Sequence, residues 1–129
     1  MRFFMPMIPP TTTAQMRRVT TAGGKPVFYE GDRLKDARAK LTAHLGGHAP
    51  KTPFDRGLGL RVKWCFPAMN KHRDGDYRTN RPDLDNLQKL LKDCMTACGF
   101  WQDDALVACE VVEKFWARDP GIFVEVWEL

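Results

Sequence analysis

The chain lacks most of the devices by which small proteins declare a chemistry. It has three histidines and four cysteines in 129 residues. His44, His48 and His72 show no metal-ligand spacing and no C-x-x-C pair occurs, which excludes the common zinc and redox motifs. No Ser or Cys nucleophile motif and no G-x-x-x-x-G-K-[ST] phosphate loop is present. No apolar run approaches the ~20 residues of a membrane span. The apolar start, Met1 to Pro10, is broken by Pro6, Pro9 and Pro10 and reads as neither a signal h-region nor an anchor. A cytoplasmic protein is expected. Cys94 and Cys98 fall one helical turn apart on an apolar face, so Cys65, Cys94, Cys98 and Cys109 are expected to be buried free thiols rather than a disulfide or zinc site.

What is present is an ordinary globular balance, 43% hydrophobic and 28% charged residues, in a chain long enough to bury a core without staples. The net charge of +4 and a pI near 9.0 point mildly toward a polyanionic partner, and the distribution says more than the sum. Lys71, Arg73, Arg78 and Arg81, with His72 and Tyr77 among them, precede an acidic stretch directly, as a phosphate-contacting segment would. Arg17 and Arg18 form a second basic point, also within reach of phosphate.

The expected elements follow from periodicity. "RFFMPMI" reads as a first strand closed by Pro9 and Pro10, with a polar turn over residues 11–14. "RRVTTAGGKPVFYE" reads as a hairpin about Gly23 and Gly24. Leu34, Ala37, Leu41 and Leu45 recur at helical spacing, with Asp32 as N-cap and Gly46 and Gly47 as the stop. Leu60, Val62, Trp64 and Phe66 alternate with polar partners, the period of a half-buried strand, and Pro67 ends it. Two further alternating runs, on either side of "RDPG", read as a closing hairpin. Residues 68–81 are long for a structureless connection, and their place beside the acids favours function. The whole predicts one α+β domain over 1–129, a mixed, mainly antiparallel sheet with two helices packed on one face.

The acidic stretch centres on a helix from about Asp85 to Cys98, with Leu87, Leu90, Leu91, Cys94 and Met95 on its apolar stripe. Gly99 is expected to end it in the left-handed conformation, with Phe100 folding back on Met95. Asp83 and Asp85 stand at its start. In extended backbone residues two apart point the same way, which would send both carboxylates to one side and Leu84 into the core. The positive helix end favours their ionised form, and such hard oxygen donors suit Mg²⁺ or Mn²⁺. Asp103 and Asp104 follow the helix and offer a third carboxylate. An ordinary N-cap and a polar turn account for the same acids, and spacing alone leaves both readings open.

At this point "DLDNLQKLLKDCMTACGFWQDDALV" closely resembles the signature of RusA-type Holliday junction resolvases, small dimeric endonucleases of bacteria and their phages. The likeness combines D-L-D-N-L-x-K, a helix of fixed length, G-F and D-D; the earlier strands and the final hairpin fit the family order more weakly. The resemblance implies three metal-holding aspartates, which match Asp83, Asp85 and Asp104, with Asp103 as the neighbour of the third. It makes the central helix a spacer that brings Asp104 back to the first two. It also implies that Lys89 meets a phosphate oxygen or developing charge, where an Asp85–Lys89 surface pair is the plainer account. Further implications are Mg²⁺ (Mn²⁺ as substitute), a homodimer, and a four-way DNA junction opened by paired symmetric nicks in recombination and repair. After the prolines the family usually carries Ser, Asn or Lys, and this chain has Thr11, Thr12 and Thr13 instead. Two rival functions remain at this stage: a non-catalytic branched-DNA-binding module, and a nuclease acting on flaps or replication forks.

Overall fold

The alternation of Leu58, Leu60, Val62, Trp64 and Phe66 builds β4 (Leu58–Pro67), whose five inward side chains are all 1% exposed or less. Burial this complete requires cover on the inner face and a partner on each edge. In the computed structural model of the chain, β6 (Gly121–Glu128) pairs antiparallel with one edge of β4, and β5 (Val107–Ala117) pairs parallel with the other. β1 (Arg2–Met5) adds antiparallel to β6 and completes a sheet of order β1-β6-β4-β5. Residues 1–13, 18–29 and 31–129 are described, with the backbone alone for 18–22 and 25–29.

Two helices cover one face. α1 (Asp32–Gly46) buries Leu34, Ala37, Leu41 and Leu45, and α2 (Leu84–Ala97) buries Leu87, Leu90, Leu91, Cys94 and Met95. These residues join Phe3 and Met5 of β1, the inward residues of β4, and Ile122, Val124 and Val126 of β6 in one core. β2 (Arg18–Ala22) and β3 (Lys25–Tyr29) form the expected separate hairpin. Gly23 and Gly24 both have positive φ, 60° and 78°, as the two-residue turn demands. The α+β class, the mixed sheet and the segregated helices agree with the periodicity.

Three expectations need correction. The closing runs are strands but not a hairpin: β4 lies between β5 and β6. Alternation marks a strand without naming its partner, and here α2 is the crossover that makes β5 parallel to β4, so the following strand fills β4's other edge. Asp32 is the first helical residue and Gly31 the N-cap, so the acid supports the first turn through the helix dipole rather than by capping. Of the four thiols only Cys94 is buried; Cys65 and Cys98 are half-buried and Cys109 is exposed, although all four are free as expected.

The end of α2 follows the sequence closely. Gly99 has φ 85°, its N–H donates to the Thr96 carbonyl, and the Phe100 N–H donates to that of Met95. This is the double closure of a Schellman ending, and Phe100 and Met95 are both fully buried.

Candidate active site

The β4–α2–β5 unit sets the site. Two parallel strands joined by a helix place the helix N-terminus at the strands' carboxyl ends, where α/β units bind ligands. Asp83 is the N-cap of α2, with extended backbone (φ −71°, ψ 147°), and its side chain makes no capping hydrogen bond. A capping aspartate normally spends an oxygen on an N–H of the first turn; Asp83 does not. Asp85 lies in that first turn and accepts a 3.0 Å bond from the N–H of Asn86. Both acids are exposed, while Leu84 between them is half-buried and packs on the core. Both carboxylates are therefore open to solvent beside a packed Leu84, but only Asp83 keeps the extended backbone that the D-L-D reading supposed: Leu84 and Asp85 already belong to α2, which starts one residue earlier than expected.

Lys89 is exposed one turn beyond Asp85, and residues four apart share a helix face. Among the described residues no ion pair joins the two. The next residue inward is anchored: Gln88, 4% exposed, accepts a 2.7 Å bond from Trp64 Nε1 and donates a 2.9 Å bond to Glu110, which also takes Lys92 at 3.0 Å. This chain, buried at Trp64 and Gln88 and open to solvent at Glu110, fixes the rotation of α2 about its axis. It thereby fixes the direction in which Asp85 and Lys89 point.

Residues 68–82 are held rather than loose. Gly75 N–H donates to the Trp116 carbonyl, Trp116 N–H to Asp76, Arg78 N–H to Lys114, and Arg118 N–H to the Asp74 carboxylate, all at 2.8–3.0 Å. The segment therefore covers the outer edge of β5, which would otherwise be an open sheet edge. It ends in a cis Arg81–Pro82 peptide immediately before Asp83.

Lys114, which the sequence reading passes over, ties this segment to the acids. Its ammonium donates to the carbonyls of Asn80 and Pro82, both at 2.8 Å. Burial, then the nearby Arg78 guanidinium, push Lys114 below its ordinary range, and Asp83 acts in the opposite direction. A sequence signal was present: Lys114 and Trp116 share the parity of Val112, the helix-side face of β5, where a lysine needs a partner. The nuclease activity that the resemblance implies is expected to fall roughly 10-fold to 100-fold in Lys114→Met, the usual effect of removing support behind metal-holding groups, with Lys114→Arg retaining part of it. Single-turnover cleavage assays measure both.

The basic residues divide. Lys71, Arg73 and Arg81 are exposed and free for phosphate, whereas Arg78 is half-buried. The Arg78 guanidinium lies 4.1 Å from the Phe66 ring and 4.6 Å from that of Trp116, and Nη2 donates to the Arg81 carbonyl. Burial lowers its pKa, and Nε is buried with no partner. Arg78 organises the loop. Arg17 lies outside the described residues and Arg18 is described by its backbone only; Thr13 is 3% exposed.

Asp104 is elsewhere. It opens the short 3₁₀ turn Asp104–Leu106 that leads into β5, and Asp103 caps this turn by accepting a 2.9 Å bond from Ala105 N–H. Its neighbours are Arg38, Asp93, Thr96, Ala97 and Gln102, at the C-terminal end of α2. A helix of this length spans about 21 Å, so the helix carries Asp104 away from Asp83 and Asp85 instead of bringing it back. Among the described residues no group of three or more His, Cys, Asp or Glu is gathered to hold a metal. One chain offers two carboxylates at the α2 start; Asp83 makes no capping bond and Asp85 spends one oxygen on the Asn86 N–H, and the remaining oxygen donors suit Mg²⁺, an ion commonly held by one or two carboxylates together with substrate phosphate.

The family profile described as "Endodeoxyribonuclease RusA" matches residues 7–127. The chain is 32% identical to the crossover junction endodeoxyribonuclease rusA of Lactococcus phage r1t over 92% of this chain and 90% of that protein. It is 32% identical to the RusA proteins of Escherichia coli strain K12 and of Enterobacteria phage 82, in each case over 77% of this chain and 70% of the relative. With the match running through both ends of α2 and three of the four strands of the sheet, the chain belongs to the RusA-type family of Holliday junction resolvases and is an endodeoxyribonuclease.

Proposed function

We propose that residues 1–129 act as a single RusA-like endonuclease domain that works as a homodimer and resolves four-way DNA junctions by paired symmetric nicks, with Mg²⁺ as the preferred ion and Mn²⁺ as a substitute. The observation that carries the reading is the pair of exposed carboxylates, Asp83 and Asp85, at the positive end of α2, preceded in the chain by exposed Lys71, Arg73 and Arg81. Acids alone would repel a phosphodiester, so a cation between them and the phosphate is the natural complement. When bound, such an ion activates water and stabilises the oxygens of an in-line displacement. Asp83 and Asp85 hold it, and Leu84, packed on the core, keeps the two side chains on the solvent side. Lys89 presents its ammonium on the same helix face, positioned to stabilise charge on a phosphate oxygen. Lys71, Arg73 and Arg81 contact backbone phosphates, which gives affinity that falls with salt and carries little sequence information.

The separation of Asp104 from the α2 start supports a shared site. We place Asp104 of a second copy beside Asp83 and Asp85, so that two sites related by a two-fold axis face two opposed strands of a junction. Work on DNA inside bacterial or phage-infected cells makes the cytoplasm the place of action; among the described residues no helix is long and apolar enough to cross a membrane.

The test uses a labelled mobile four-way junction, a flap and a linear duplex, each with Mg²⁺ or EDTA. Paired cuts in the junction with Mg²⁺ and none with EDTA are expected. Junction binding with no cleavage under any condition makes the chain a binding module, and preferential cutting of the flap assigns it to another branched substrate.

A further inference from the structure

The segment that covers β5 also builds a stack of planar groups. In contact order these are Phe66, Arg78, Trp116 and His72. The Arg78 guanidinium touches both Phe66 and Trp116, and the His72 ring lies 4.1 Å from Trp116 at an interplanar angle of 5°. Phe66 is 1% exposed and His72 is exposed. The stack therefore starts in the core and ends in solvent with an aromatic ring available. A cavity of ≈ 590 Å³ opens beside it, bordered by His72, Asp76, Tyr77, Thr79, Asn80 and Trp116, within the size range of small-molecule sites. The backbone bonds that hold residues 74–78 on β5 mean that little ordering is needed before a ligand can enter.

The position matters as much as the surface. Lys114 and Trp116 are two residues apart on one face of β5, a separation of about 7 Å, and Lys114 bonds the Pro82 carbonyl next to Asp83. Lys114 and Trp116 thus link the cavity to the start of α2 along one edge of the sheet. Stacking platforms accept any base with a free face, but a base inside a duplex has none to give; a branch point supplies one at low cost.

We infer that this cavity is a pocket for one unpaired nucleobase of the substrate strand, stacked on His72 over Trp116, with the Thr79 hydroxyl and the Asn80 carboxamide at its rim to contact the base edge. The inference rests on the endonuclease reading above. It separates two tasks: Lys71, Arg73 and Arg81 hold DNA of any shape, and the His72 pocket favours DNA that can offer an unstacked base.

Photocrosslinking tests it. Four-way junctions carrying a single 5-iododeoxyuridine, either next to the crossover or deep in an arm, are bound by the wild-type protein in EDTA, irradiated, and mapped by mass spectrometry. The expected result is a crosslink to His72, Tyr77 or Trp116 from positions next to the crossover and none from the arms. In parallel, His72→Ala is expected to weaken junction binding roughly fivefold or more and leave linear-duplex binding unchanged. Crosslinks that miss all three residues, or an equal loss on junction and duplex, overturn the pocket. Cleavage of the same junction in Mg²⁺ separates the two failures: a protein that cuts without these crosslinks overturns the pocket alone. One that neither binds nor cuts overturns the endonuclease reading and the pocket with it.

Discussion

Asp83→Asn is expected to lower junction cleavage by more than about a hundredfold while leaving junction affinity within about twofold. Loss of groups that merely support a metal ligand commonly costs 10-fold to 100-fold, so loss of a ligand should exceed that. Affinity should survive because the phosphate contacts assigned to Lys71, Arg73 and Arg81 are exposed and separate from Asp83. Folding should survive as well. Asp83 is the N-cap of α2 but makes no capping hydrogen bond, so the usual loss of ~1 kcal/mol on removing a cap does not apply, and asparagine is itself a favoured cap. Asp85→Asn should behave alike. Single-turnover cleavage with gel-shift titration in EDTA measures both quantities, and a variant that cuts at the wild-type rate would remove Asp83 from the site.

The second large effect is on stability. Trp64→Ala is expected to destabilise the fold by about 3–5 kcal/mol, out of a total that for domains of this kind is about 5–15 kcal/mol. Trp64 is fully buried in the middle of the central strand. Its indole N–H is also the donor that satisfies Gln88 Oε1 at 2.7 Å, so truncation leaves a cavity and an unpaired buried acceptor together. Trp64→Phe keeps most of the volume and should cost about 1–3 kcal/mol through the lost hydrogen bond alone. Urea unfolding of the three proteins gives the comparison. A loss below about 1 kcal/mol for Trp64→Ala would mean that the Trp64–Gln88 contact does not anchor α2 on the sheet.

These two residues show what the sequence makes legible. Trp64 stands in a strict alternation whose buried parity is unmistakable, and the Gly99 ending of α2 follows from one residue type in one place. Both are local signals, and both appear in the structure as expected. The exposure of Asp83 and Asp85 at the start of α2 was legible for the same reason, although only Asp83 keeps the extended backbone that the D-L-D spacing supposed. Strand partnership is a property of the whole sheet, which is why alternation alone made β5 and β6 a hairpin when β4 lies between them. The expected return of Asp104 to the α2 start within one chain failed in a related way. Chain proximity and a recognisable D-D pair suggested a return to the α2 start, but the length of the intervening helix sets the distance, and it carries Asp104 to the far end. Lys114 carried a parity signal that it needs a partner, but its partners are backbone carbonyls more than thirty residues away, which side-chain patterning does not name.

The shared site requires that the acids at the two ends of α2 work together across two copies of the chain. Mixing the Asp83→Asn and Asp104→Asn proteins, each inactive alone, decides this after the subunits have been co-refolded. In a mixed dimer a shared arrangement leaves one site with both changes and the other with none. About half the dimers are mixed, so the mixture should nick junctions at roughly a quarter of the wild-type site activity, in one strand only, through one metal-bearing site per mixed dimer. Wild-type protein mixed with Asp83→Asn serves as the control for exchange. A mixture that stays inactive while that control forms mixed dimers would contradict the shared site.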